Sequence, residues 1–188
     1  MKKLQGFTLI EMIVVIAVIA VLAAIITPNA FKAIEKAKVT RLIGDLNAFR
    51  SATLTYYADM GFWPPDVCPD DDPGFTKPDP FNVRSGGAPG CLGLYRLPSN
   101  WQTIVDSNWN GPYLDKWPLL NPWAGSYDFE NWMTPLALPD PPGIYMTARG
   151  LPRGVIDNIE NNANKFPYTI SETVRWTDTI TSLLVPDQ

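Results

Sequence analysis

Few side chains in this sequence have the types and spacing for chemistry. Cys68 and Cys91 are its only cysteines, able to form a disulfide or to serve as thiols. Asp70-Asp71-Asp72 clusters carboxylates between Cys68-Pro69 and Pro73-Gly74. Such a turn could offer oxygens to calcium, a hard cation that takes six to eight of them. Asp157, Glu160, Asn161 and Asn162 make a second polar cluster. Glu11 stands apart from these, a single carboxylate within the apolar run from Phe7 to Ile26.

Elementary chemistry narrows these candidates. The chain has no histidine, which removes the commonest general base and the commonest metal ligand together. No imidazole is therefore available to activate either cysteine as a nucleophile. The sequence contains no P-loop, GxGxxG or CxxC pattern, and its paired carboxylates come without an apolar pocket apparent from sequence. The aspartate run lacks the alternating ligands and terminal glutamate of an EF-hand, so a solvated acidic turn is the simpler reading, as it is for the Asp157 cluster. No catalytic residue, cofactor or metal ligand is expected, and the chain does not read as an enzyme.

Glu11 has to be explained by the element that carries it. The 20 residues from Phe7 to Ile26 are broken only by Thr8 and Glu11, and at about 1.5 Å each they form a helix of roughly 30 Å, the thickness of a hydrocarbon core. Within such a core an ionised side chain costs roughly 2.5–3.5 kcal/mol near the centre. Lys2 and Lys3 precede the run, which by the positive-inside rule leaves the N-terminus in the cytoplasm and sends residues 29–188 across the membrane. A cleaved secretory signal would have a shorter apolar stretch and a small-x-small site, which Thr27-Pro28-Asn29-Ala30 lacks. A simple uncleaved anchor fits the length. It would make this a membrane-anchored, monomeric, extracytoplasmic ligand-binding protein, and it leaves Glu11 without a role.

The stretch Lys3-Leu4-Gln5-Gly6-Phe7-Thr8-Leu9-Ile10-Glu11, followed by an apolar helix with Pro28 at its end, resembles the class III signal of type IV prepilins and of type II secretion pseudopilins. The resemblance implies a leader of residues 1–6, cut after Gly6 by a prepilin peptidase, and methylation of the new N-terminal Phe7 by the same enzyme. It also implies that Glu11 meets the Phe7 amine of a neighbouring copy inside an apolar filament core. A buried charge is tolerated chiefly when paired, and breaking such a pair typically costs about 3–5 kcal/mol. The partners implied are copies of the chain itself, the peptidase, inner-membrane assembly machinery and the membrane, with no nucleic acid. The location implied is the bacterial inner membrane first, then a periplasmic pseudopilus or a surface pilus. Ala20 stands where many members carry glycine.

Beyond the span, Phe31, Ile34, Leu42, Leu46, Phe49, Tyr56 or Tyr57 and Met60 recur at helical spacing with Lys32, Lys36, Asp45 and Arg50 between them. This predicts an amphipathic continuation to about Asp59, stopped by Gly61 and Pro64-Pro65, with Pro28 as a kink that does not end the helix. The prolines crowd beyond Phe62 and exclude long helices there. Seven tryptophans supply area to anchor a turn-rich head. Strands are predicted at 126–129, 143–148 and 173–176, a proline-rich connector at 138–143, and residues 66–120 carry no readable pattern. Residues 62–188 hold eight basic and 15 acidic side chains, which argues against a nucleic-acid surface.

Two shorter stretches extend the resemblance. Asn121-Pro122-Trp123-Ala124-Gly125-Ser126-Tyr127 is similar to the Asp-Pro-Trp-Gly-x-x-Tyr turn of major pseudopilins, departing at Asn121 and Ala124. Gly150-Leu151-Pro152 with Val155-Ile156-Asp157-Asn158-Ile159 resembles a helical turn of pilin-like proteins. Outside the cytoplasm disulfides persist, and pairing Cys68 with Cys91 closes a loop of 24 residues, worth roughly 3 kcal/mol on the chain-entropy model. The expected fold is α+β: leader 1–6, membrane or filament-core helix 7–28, amphipathic continuation 29–60, and a head at 61–188 in which the helix packs on a small antiparallel sheet.

Overall fold

The computed structural model describes residues 7–66, 71–78, 97–131, 143–160 and 179–186. Helix α1, Leu9–Met60, is followed by α2, Trp101–Asn108, strands β1, Tyr127–Asn131, and β2, Gly143–Ala148, helix α3, Arg153–Glu160, and strand β3, Ile180–Pro186. The chain divides into two compact units, Met1–Thr40 and Arg41–Gln188, and α1 supplies residues to both.

In the first unit α1 is apolar but for Glu11 and exposed on all sides from Leu9 to Ile26, and its last turns carry Lys32, Glu35, Lys36 and Lys38. Pro28 lies inside it without ending it, as the sequence predicts. Proline has no N–H to offer the carbonyl four residues back, and next to it the Thr27 hydroxyl donates to the Ala23 carbonyl at 2.6 Å.

In the second unit α1 turns one face inward: Leu42, Leu46, Phe49, Ala52, Thr53, Tyr56 and Met60 are buried. The predicted apolar stripe therefore begins at Leu42. Phe31 and Ile34, assigned to it from spacing, are 68% and 53% exposed. Of the tyrosine pair Tyr56 is the buried one, while Tyr57 stacks on Trp63 with ring centroids 3.9 Å apart. The helix stops at Gly61, whose φ of 72° suits a residue without a Cβ and whose N–H donates to the Tyr57 carbonyl at 2.8 Å.

The sheet is antiparallel in the order β1-β2-β3. Period-two alternation gives β1 an apolar side, where Tyr127 and Phe129 meet Phe49 and Phe75 edge-on at 5.1 and 5.5 Å. Ile144, Met146 and Ala148 of β2 lie opposite Asn131, Phe129 and Tyr127 on that face, and Ile180 and Ser182 of β3 extend it. The other face carries Asp128, Glu130, Tyr145, Thr147 and Thr181. This is the α+β architecture expected. Strand β2 matches its predicted span and β1 sits one to two residues later than predicted. The predicted strand at 173–176 lies outside the described residues, as does most of the connector at 138–143, whose last residue opens β2. Helix α2 and strand β3 were not foreseen, and α3 is a two-turn helix where a single turn was expected. Leu151, Val155, Ile156 and Ile159 bury one side of α3 and the turn before it.

Candidate assembly site

Helix α1 opens on a reciprocal cap. The Thr8 hydroxyl accepts the Glu11 N–H at 3.4 Å, and Glu11 Oε2 accepts both the Thr8 N–H at 2.8 Å and the Thr8 hydroxyl at 2.6 Å. Thr-x-x-Glu is the capping box, which satisfies two N–H groups that a helix start leaves orphaned. It also sets a negative charge where the helix dipole is positive. Reading Glu11 only as an intermolecular partner missed this local role, although a threonine three residues before the glutamate was the signal. Only Oε2 is engaged in the cap, and Oε1 takes no hydrogen bond among the described residues.

Around this carboxylate the helix is bare. Phe7 is 74% exposed and Ile10 69%, and the whole stretch 7–26 is exposed in the single chain. Its richest window reaches a mean hydropathy of 3.2, long and apolar enough to cross a membrane. Gly6, Cys68 and Cys91 lie outside the described residues.

The second unit anchors α1 at two polar points. Tyr127 of β1 donates its hydroxyl to Asp45 at 2.7 Å, and Arg41 approaches the same carboxylate at 3.8 Å. Burial, reinforced by the Asp45 carboxylate, pushes the Tyr127 phenol far above its ordinary range. Near the end of α1, Tyr113 donates to Asp59 at 2.9 Å, and burial pushes its phenol up to about 12. Trp109 Nε1 donates to the Gly74 carbonyl at 3.2 Å, which ties in the segment after Asp72. Trp117 packs against Phe49 and Phe75 at 5.2 and 6.3 Å, the packing role expected of the tryptophans.

Within the acidic turn Asp72 is occupied with its own backbone. Asp72 accepts N–H groups from Gly74, Phe75 and Thr76 at 2.7–3.0 Å and also the Thr76 hydroxyl. That is a local cap of the kind that favours aspartate at turns. Among the described residues no group of three His, Cys, Asp or Glu side chains could hold a metal; Asp70 is outside them. Asp157 pairs with Arg153 at 3.5 Å, both exposed.

Asn121 organises the turn before β1. Its Oδ1 accepts the N–H of Trp123 at 2.9 Å and of Gly125 at 3.2 Å, and its Nδ2 donates to the Arg149 carbonyl at 2.7 Å and the Ser126 carbonyl at 3.4 Å. A carboxylate could accept as Asn121 does but could not donate, so the departure at this position adds a link to the end of β2. Gly125 has no room for a side chain, because a Cβ there would collide with the Arg149 carbonyl. Ala124 takes φ 63°, a conformation that suits glycine and costs other residues.

Comparison with known proteins places this geometry. Residues 1–27 match the prokaryotic N-terminal methylation motif and residues 33–87 match the PilW C-terminal model. The type II secretion system core protein G of Pseudomonas aeruginosa is 31% identical over 66% of this chain and 72% of its own length. The chain belongs to the pilin and pseudopilin family. The core protein G of Vibrio cholerae is 34% identical over 46% of this chain, and the match spans 61% of that relative's length. The type IV major pilin protein PilE of Neisseria gonorrhoeae is 40% identical over 33% of this chain and 37% of its own. No solved structure matches. As a member of a family of structural subunits, this pilin-like chain is not an enzyme. Its exposed apolar helix carries the family's N-terminal motif.

Proposed function

We propose that this pilin-like chain is inserted in the bacterial inner membrane through residues 7–28, cut after Gly6, methylated on Phe7 and polymerised into a type II secretion pseudopilus. The observation that carries this reading is the state of α1's first unit. Over residues 9–26 it is an apolar helix exposed throughout, opening at the methylation motif, with one carboxylate oxygen of Glu11 engaged by Thr8 and the other open to the Phe7 amine of a neighbouring copy. The pseudopilus is favoured over the pilus because the match to core protein G extends well into the head, whereas the PilE match is confined to a third of the chain. In this reading residues 1–6 are the leader, 7–28 the membrane and then filament-core helix, 29–60 its continuation and 61–188 the outward head. Pro28 sits where the core helix gives way to its continuation.

N-terminal mass spectrometry of the exported chain tests the processing: the mature protein is expected to begin at Phe7 with one added methyl, and a start at Met1 overturns the reading. Cys68 and Cys91 are proposed to be linked in the exported protein. Non-reducing peptide mapping is expected to recover them as one cross-linked pair, and two alkylatable thiols in native material would defeat that assignment.

A further inference from the structure

Past the apolar span, α1 carries charges whose role the filament reading does not use. From Thr27 to Phe31 the chain is uncharged, and Lys32 and Lys36 then stand one turn apart, both exposed. Like charges four residues apart on a helix repel and destabilise it slightly. Among the described residues neither ammonium group has an ion-pair partner, whereas Glu35 and Lys38 each have an interaction and Arg41 has Asp45. Position gives the pair its meaning. At about 1.5 Å per residue, Lys32 lies roughly 9 Å beyond Ile26, and each headgroup layer adds about 5–7 Å to the hydrocarbon core. Helical side chains lean toward the helix N-terminus, so both lysines reach back toward the span. Long lysine stems run along apolar surface to place the charge at such a boundary.

We infer that Lys32 and Lys36 dock the phosphate headgroups of anionic phospholipids in the leaflet at the C-terminal end of the span. The inference rests on the membrane-inserted precursor proposed above. A headgroup phosphate between the two ammonium groups relieves their repulsion and fixes the depth and rotation of the helix. Withdrawal into a filament then has to break this contact, so the lipid holds the precursor in place until assembly draws it out.

The test uses the full chain reconstituted in phosphatidylcholine vesicles with and without phosphatidylglycerol, with spin-labelled forms of both lipids reporting the motionally restricted fraction at the protein. The expected result is a preference for phosphatidylglycerol of roughly fivefold per lysine, the equivalent of about 1 kcal/mol for each cation at a charged surface. It should fade as salt is raised. Lys32→Gln with Lys36→Gln should abolish the preference and Lys32→Arg with Lys36→Arg should keep it, while Lys116→Gln in the head should leave it unchanged. Vesicle flotation separates the two levels of the reading. A chain that fails to float overturns membrane insertion and this inference with it, and a chain that floats without lipid preference overturns the inference alone. A double Gln variant that keeps its preference but loses filaments would assign the lysines to a neighbouring subunit and overturn the lipid contact.

Discussion

At the scale of single residues, Glu11 serves two demands. In the single chain its carboxylate closes a capping box with Thr8, a contact that lessens the strangeness of a charge in an apolar run, because the group satisfies donors that no bilayer water would reach. In the proposed filament the same side chain meets a neighbour's Phe7 amine. Two substitutions separate these roles. Glu11→Gln keeps an amide oxygen able to accept the Thr8 N–H but loses the charge, and Glu11→Ala loses both. If the intermolecular pair governs assembly, both variants should insert and be cleaved like wild type yet yield filaments reduced at least tenfold, read from sheared and pelleted material at equal expression. Wild-type filament yield from Glu11→Gln with loss only in Glu11→Ala would leave the cap as the whole role of the residue. A monomeric anchor predicts neither loss, since removing a membrane charge is favourable for insertion alone.

At the scale of elements, the turn from Asn121 to Gly125 shows how a local departure is absorbed. Ala124 at φ 63° is held by its neighbours: its N–H donates to the Asn121 carbonyl at 3.0 Å, and the Asn121 N–H to the Gly125 carbonyl at 2.7 Å. Ala124→Gly should stabilise the chain by about 1 kcal/mol, measured as a higher denaturation midpoint at unchanged denaturant slope. Gly125→Ala should do the reverse, because the Arg149 carbonyl fills its space. The same scale shows what sequence made legible. Helix α1 was readable because a twenty-residue run broken only by Thr8 and Glu11 and then a 3.6-residue stripe are strong signals, and β2 because Gly143 follows a proline-rich run and Ile144-Tyr145 are good strand formers. The start of the buried stripe was not readable, since Phe31 and Ile34 keep the period of Leu42 and Leu46 and only the second unit decides which of them find a partner. Strand β3 was hidden by its hydroxyls: Ile180, Ser182 and Leu184 alternate and are buried, but Ser182 weakens an apolar pattern of period two. Helix α2 buries only Val105, too little for a face to emerge from sequence. The Thr8-Glu11 cap was written in four residues and was missed because Glu11 was read for what lies beyond the chain.

At the scale of the whole molecule, α1 supplies an apolar, uncovered stretch at residues 9–26, while the second unit keeps a core of its own with a polar layer on the far face of its sheet. In that layer Arg149 pairs with Asp128, Thr147 donates its hydroxyl to Glu130 at 2.9 Å, and Thr147 and Thr181 share a hydrogen bond at 3.0 Å across β2 and β3. Glu130 has no cation of its own there. Burial, with the Asp128 and Asp66 carboxylates adding to it, pushes its carboxyl up to about 7 from the ordinary 4.5, against the opposing pull of Thr147 and Arg149. The sign of the consequence follows from proton counting. Between about pH 4.5 and 7 the folded chain retains a proton that the unfolded chain has released, so stability conferred by the neutral carboxyl is complete below pH 4.5 and is lost as pH rises through 7. Wild-type protein should therefore lose on the order of 3 kcal/mol across that window, read by denaturant unfolding of the full chain in detergent. Glu130→Gln keeps an oxygen for the Thr147 hydroxyl and offers its amide to Asp128 and Asp66, so its profile should lose this descent and stand above wild type at pH 8. An equal descent in both proteins would mean that Glu130 is already ionised in the folded head, its charge carried by Arg149 across the same sheet face.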